Sequence, residues 1–122
     1  LLLYPTAIGW DPRDDSDEQA RQLEAWQTIQ RGHAIANSLP LLACNRVGHE
    51  DDPSGRTGGI RFWGHSFIAG PQGEILSAAG EQDAVLVTRL DLSRTAELRQ
   101  QWPFFRDRRI DAYPGLLKRL CD

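Results

Sequence analysis

The chain opens with LLLYPTAIGWDP, residues 1–12. Leu1 to Leu3 and Tyr4, running into Pro5-Thr6-Ala7-Ile8, have the apolar character and length of a buried strand over about Leu1 to Ile8, ended by a turn at Gly9 and Pro12. The acidic run Asp14, Asp15, Asp17 and Glu18 follows in a polar loop. Ser16 with Gln19 three residues on matches a capping box, and Asp17 and Glu18 then fall in the first turn, where the helix dipole favours carboxylates. Leu23, Trp26, Ile29, His33 and Ala36 recur at steps of three or four, which predicts one amphipathic helix to about Ser38, before Pro40. A strand feeding a long helix sets the class as α/β. The sequence contains no Met, so either the N-terminus was removed or the chain is a piece of a longer one.

Downstream, PLLACNRVG (40–48) has strand length, and HEDDPSGRTGG (49–59) reads as a surface loop from its Gly, Pro and charge. IRFWGHSFIAGPQGEILSAAG (60–80) reads as a hairpin about Gly-Pro-Gln-Gly, and DAVLVTRLDL (83–92) as a further strand. Ser93 can cap a short helix to about Gln101. Residues 102–122 read as an irregular tail closing on a small amphipathic helix. One long helix covers such a sheet poorly, which places further covering elements elsewhere.

Composition narrows the function classes. At 40% hydrophobic and 25% charged, the 122 residues suit one globular domain rather than a disordered chain. A net charge of −3 with scattered Lys and Arg argues against nucleic acid as a partner. No apolar run approaches the ~18 residues needed to span a bilayer, and Leu1 to Leu3 lack the charged flank and long core of a signal peptide. The chain therefore reads as cytoplasmic, with no membrane partner.

Candidate chemistry is sparse. GHSF around Ser66 lacks the second Gly of G-x-S-x-G, since position 68 is Ile68, and it falls inside a predicted strand, so Ser66 reads as structural. His33, His49 and His65 lack ligand spacing, and the acidic run lacks the pattern of a calcium loop, so no metal is expected. Cys44 in LLACN reads as a small buried hydrophobe, and Cys121 lies in the tail without a CxxC partner; both are expected to be reduced thiols. FFRDRRID carries arginines among aspartates and phenylalanines, which suits either exposed ion pairs or an interface.

Taken together, LLLYPTAIG, QRGHAIANSLPLLACNRVG, FWGHSFIAGPQGEIL and FRDRRIDAY resemble consecutive landmarks of the C-terminal half of the nitrilase, or carbon-nitrogen hydrolase, superfamily. The resemblance runs from Leu1 to about Tyr113. Tyr4-Pro5-Thr6-Ala7-Ile8-Gly9 and Gly64-x-Ser66-x-Ile68-x-x-Pro71-x-Gly73 carry most of it. Within the superfamily the chain is most similar to the N-carbamoylputrescine amidases.

The resemblance implies part of an α-β-β-α four-layer sandwich, with residues 1–122 as the C-terminal part of the domain. It also implies a catalytic Cys, Glu and Lys. No stretch of this sequence matches those motifs, and neither Cys44 nor Cys121 falls where the nucleophile would, so no catalytic residue is assigned and the chain alone is expected to be inactive. In the intact enzyme a thiolate would attack the ureido carbonyl, Glu would act as general acid and base, and Lys would steady the oxyanion. Ammonia would leave first and water would release the carbamoyl group, with no cofactor required.

The same resemblance places the strand's last residues beside the nucleophile. Thr6, Ala7 and Ile8 are thus expected to form a substrate wall, with Ala7 and Gly9 letting a ligand approach the backbone. Asp11 suits the distal ammonium of putrescine or, equally, an Asx-turn before Pro12. Similar amidases carry Glu at that position and a small residue at the position of Trp10. Arg13 would instead serve a carboxylate-ended substrate, as in a β-ureidopropionase or ω-amidase. From a different class, the chain could be a self-standing, non-catalytic binding or assembly module. Phe104, Phe105, Arg106, Arg108 and Tyr113 are expected to meet a partner subunit in a homo-oligomer.

Overall fold

A computed structural model of the chain describes residues 1–117. Two parallel strands joined through a helix form its frame: β1 (Leu2–Thr6), α1 (Ser16–Asn37) and β3 (Leu41–Asn45). Parallel pairing requires such a crossover, which explains why the 22-residue helix lies between the strands. β1 and β3 run in register from Leu2↔Leu41 to Thr6↔Asn45. The sheet continues antiparallel through β6 (Phe67–Ala69) and β7 (Ile75–Ala78), giving the order β1-β3-β6-β7. A second, antiparallel sheet is ordered β2-β5-β4 and comprises β2 (Gly9–Trp10), β4 (Val47–Glu50) and β5 (Ile60–Trp63).

The core lies between α1 and the first sheet. Ala34, Leu41, Ala43, Phe67 and Ala69 are buried together, with Leu2, Tyr4 and Trp26 packed against them. Trp26 meets Phe67 edge-on at 5.9 Å and Trp63 at 5.8 Å, so one helical side chain touches both sheets. Arg31 Nε donates to Gly73 O at 2.8 Å and ties α1 to the β6–β7 turn.

Several sequence expectations need correction. The first strand stops at Thr6, because residues 9–10 pair in the other sheet. Asp15, not Ser16, caps α1: it accepts from Glu18 N at 2.8 Å, so the reach of a carboxylate one residue earlier displaces the proposed box. The buried stripe of α1 passes through Trp26, Gln30 and Ala34, leaving Ile29 at 59% exposure and His33 and Ala36 exposed. The predicted stripe averages under 3.6 residues per turn and so drifts off the face, while Gln30 is accommodated by donating to Trp26 O at 3.0 Å.

PLLACNRVG is not one strand: β3 and β4 belong to different sheets and part at Arg46. Likewise the hairpin is β6–β7 alone, since Gly64 (φ 65°) and His65 (φ 55°) break the run between β5 and β6. His49 and Glu50 pair within β4, so the loop is confined to 51–59. Cys44 is exposed rather than buried, because alternation along β3 turns it away from α1.

Residues 83–92 form no ladder among the described residues, although Leu86, Thr88 and Leu90 are half-buried in alternation with Val85 (90% exposed) and Val87 (87%). The pattern is that of a strand, but a strand also requires a paired neighbour. α2 (Ser93–Gln101) forms as expected, except that Asp91 rather than Ser93 satisfies its start, accepting Ser93 N at 3.0 Å. The tail carries short helical turns at Ile110–Ala112 and Pro114–Leu117; the rest of its predicted helix, with Cys121, lies outside the described residues.

Candidate functional site

The chain passes between its two sheets at Thr6–Gly9, at Asn45–Val47 and at Trp63–Phe67, and these crossings meet at Asn45. The Asn45 side chain is buried, at 7% exposure. Its Nδ2 donates to Ile8 O and to Gly64 O, each at 3.0 Å. Its Oδ1 accepts from Ile8 N and from Thr6 Oγ1, also at 3.0 Å each. The amide thus uses its full donor and acceptor capacity. Ser66 Oγ accepts Asn45 N at 2.9 Å and lies 3.3 Å from Asn45 O, to which it can donate. Arg46 O accepts from Gly64 N at 3.0 Å.

This arrangement fixes the turn that follows β1. Past Thr6 the backbone has left the β1–β3 ladder, and the Asn45 amide binds both the N–H and the C=O of Ile8 as a neighbouring strand would. Gly9 then pairs with Phe62 so closely that a Cβ there would lie 2.8 Å from Arg61 C and 2.9 Å from Phe62 Cα, and closer still to Arg61 O. Trp10 packs against Trp63 with ring centroids 5.0 Å apart and the planes tilted by 59°. Asn45, which sequence reasoning passed over as part of a strand, is the organising residue; a polar Asn inside an apolar run is the signal that could have found it.

Of the expected wall residues, Ala7 and Ile8 lie exposed at the rim and Thr6 is half-buried. The Thr6 hydroxyl is directed to β3, within 3.2 Å of Cys44 O as well as 3.0 Å of Asn45 Oδ1. Asp11 forms the Asx-turn: its Oδ1 accepts Arg13 N at 2.9 Å, and its carboxylate takes Arg13 Nε at 3.0 Å and Nη2 at 2.6 Å. The side-chain hydrogen bonds from Arg13 hold the Asp11 pKa down at about 2. Arg13 is raised by the same contact, so each side chain occupies the other.

A groove of about 440 Å³ flanks the turn, walled by Trp10, Pro12, Gln19, His49, Arg61 and Glu81, with Arg61 and Glu81 paired at 3.0 Å. Thr6, Ala7, Ile8 and Asp11 do not line it. Ser66 Oγ belongs to the Asn45 network through the backbone N–H and C=O of Asn45. Among the described residues no cluster of three or more His, Cys, Asp or Glu could hold a metal ion, and no helix is long and apolar enough to cross a membrane.

The carbon-nitrogen hydrolase profile matches residues 14–100, most of the chain. The chain belongs to the carbon-nitrogen hydrolase family. It is 45% identical to N-carbamoylputrescine amidase of Solanum tuberosum over 96% of its own length and 39% of that protein's. It is 36% identical to a citrullinase of Francisella tularensis over 98% of its length and 40% of the relative's. A crystal structure of a carbon-nitrogen hydrolase from Helicobacter pylori G27 superposes with a TM-score of 0.88 at 56% identity, covering 98% of this chain and 41% of that one. The chain thus spans about two fifths of the relatives it matches. Its α/β arrangement is that part of the carbon-nitrogen hydrolase, or nitrilase, fold, and amidase-named relatives identify the family chemistry as hydrolysis.

Proposed function

We propose that residues 1–122 are the C-terminal part of an amidohydrolase domain acting on N-carbamoylputrescine, in the cytoplasm and within polyamine synthesis. The observation that carries this reading is the 45% identity to N-carbamoylputrescine amidase over 96% of the chain. The catalytic Cys, Glu and Lys would belong to the remaining length of the protein. The thiolate adds to the ureido carbonyl as Glu delivers a proton to the departing nitrogen, and ammonia leaves. Water, deprotonated by the same Glu, then cleaves the S-thiocarbamate so formed and regenerates the thiol. The putrescine carbamate so released loses carbon dioxide to give putrescine. Thr6, Ala7 and Ile8 form part of the substrate wall, and Asp11 meets the distal ammonium, using carboxylate lone pairs that Arg13 leaves free.

The Asp11–Arg13 pair is neutral as a whole, so the preference for an ammonium-ended substrate rests on the identity to N-carbamoylputrescine amidase and not on that pair. The full-length protein, assayed for ammonia release, is expected to prefer N-carbamoylputrescine to N-carbamoyl-β-alanine and to citrulline by at least about tenfold in kcat/KM, the discrimination of one well-made polar contact. Preference for either carboxylate-bearing compound overturns the assignment. Residues 1–122 produced alone are expected to release no ammonia from any of them, and a self-standing, cooperatively unfolding monomer would favour a non-catalytic module instead.

The tail is the proposed subunit contact. Phe104, Phe105 and Tyr113 are largely exposed, with the Arg108 guanidinium 5.8 Å from the Phe105 ring. Arg106 is paired with Asp107 at 2.8 Å. Aromatic and Arg side chains presented together suit a homo-oligomeric interface.

A further inference from the structure

We propose that Asn45 is a positioning residue that sets the depth and rigidity of the substrate wall at Thr6–Ile8, and with it the KM of the enzyme. The inference rests on the reading of that turn as a wall. Ala7 and Ile8 are exposed, Ile8 at 37%, and β1 no longer pairs beyond Thr6. What holds the Ile8 peptide groups is the Asn45 amide, which contacts both of them at 3.0 Å. Trp63 N also donates to Ile8 O, at the longer distance of 3.4 Å.

The chemistry required at position 45 is narrow. The side chain must donate to the carbonyls of Ile8 and Gly64 and accept from Ile8 N–H and Thr6 hydroxyl, all from one buried point. A primary amide of this length does so. Aspartate keeps the size and the acceptor but offers neither donor, and it would aim charge at two carbonyl oxygens. Ser66 supports the amide from behind by accepting the backbone N–H of Asn45.

The test uses Asn45→Ala, Asn45→Asp and Ser66→Ala in the full-length protein, with two readouts: amide hydrogen exchange by peptide, and KM against kcat for N-carbamoylputrescine. In the Asn45 variants the peptide covering residues 4–10 is expected to exchange at least about tenfold faster while peptides within α1 are unchanged. KM is expected to rise about tenfold with kcat within about twofold, as for a lost ground-state contact. Asn45→Asp should not rescue. Ser66→Ala, which keeps the amide itself, is expected to show about threefold effects in both readouts and decides the matter should the Asn45 variants not fold. Unchanged exchange at residues 4–10 overturns the clasp. Faster exchange there with unchanged KM overturns the wall reading beneath it. Faster exchange throughout with KM unchanged reduces Asn45 to a purely structural residue and overturns the proposal as well.

Discussion

Replacing Gly9 and Gly32 with alanine makes the same chemical change at two sites with opposite expected signs. At Gly9 the added carbon would stand 2.8 Å from Arg61 C and 2.9 Å from Phe62 Cα, where carbon contacts settle at about 3.5–4.0 Å. The obstacle is backbone, so the strands themselves must part by roughly 1 Å. β2 pairs only through Gly9↔Phe62 and Trp10↔Arg61, too short a ladder to survive that displacement. Losing a pair of backbone hydrogen bonds at about 0.5–1.5 kcal/mol each, and the Trp10–Trp63 contact at about 0.5–1.5 kcal/mol, gives about 1.5–4.5 kcal/mol. Alanine's smaller unfolded-state entropy returns about 0.5–1 kcal/mol, leaving a net loss of about 0.5–4 kcal/mol. Gly32 lies inside α1 with nothing within 4 Å of the added carbon, so alanine there is expected to stabilise by about 0.5–1 kcal/mol. Urea unfolding of the full-length variants, followed by tryptophan fluorescence, measures both. A Gly9→Ala loss under about 0.5 kcal/mol, or a loss no larger than that of Gly32→Ala, would refute the close approach of β2 to β5.

Three further outcomes follow from the geometry. Asp15→Ala removes the cap on α1 and is expected to cost about 1 kcal/mol in the same urea assay, whereas Ser16→Ala, at the position the sequence suggested, should cost only a few tenths. Asp11 is ionised above its lowered pKa of about 2, and its pairing with Arg13 is lost only as pH falls through that value, so KM for N-carbamoylputrescine should show no inflection from Asp11 between pH 4 and pH 7; Asp11→Asn should raise KM at every pH in that window. A Phe104→Asp, Phe105→Asp double variant is expected to dissociate the proposed homo-oligomer, read as a halved or smaller mass by light scattering, with the circular dichroism of each subunit retained.

The βαβ frame was legible because its signals are local and periodic: an apolar run, an acidic helix start, a strand-length run after Pro40. The changes of sheet were not. A strand that ends in one sheet and resumes in another after a single residue, as at Arg46, leaves the apolar pattern almost unbroken. Only Asn45 and the glycine at position 64 marked the breaks, and each has a ready bland reading. The stretch 83–92 failed in the opposite way. Its alternation is genuine, since Leu86, Thr88 and Leu90 do turn inward, but pairing is a property of a neighbour and not of the strand's own residues. For the proposed site, Thr6 to Ile8 come from the family resemblance alone, whereas the capture of the Thr6 hydroxyl by β3 and of Asp11 by Arg13 depends on geometry that spacing does not encode.

These features share one physical cause. A chain that changes sheets must release backbone groups from one ladder before it enters the next, and in a buried crossing those groups need other partners. Here the crossings are stacked on one another, so that a single amide serves Ile8 and Gly64 while a hydroxyl serves the backbone of the residue bearing that amide. The cost is that the turn after β1 is held by residues 37 and more positions later in the chain. The benefit is that the backbone of the turn is fixed at Ile8 independently of the outward side chains of Ala7 and Ile8. On the proposed reading of this turn as a substrate wall, changes in the outward side chains of Ala7 and Ile8 are expected to be tolerated where changes in Asn45 are not.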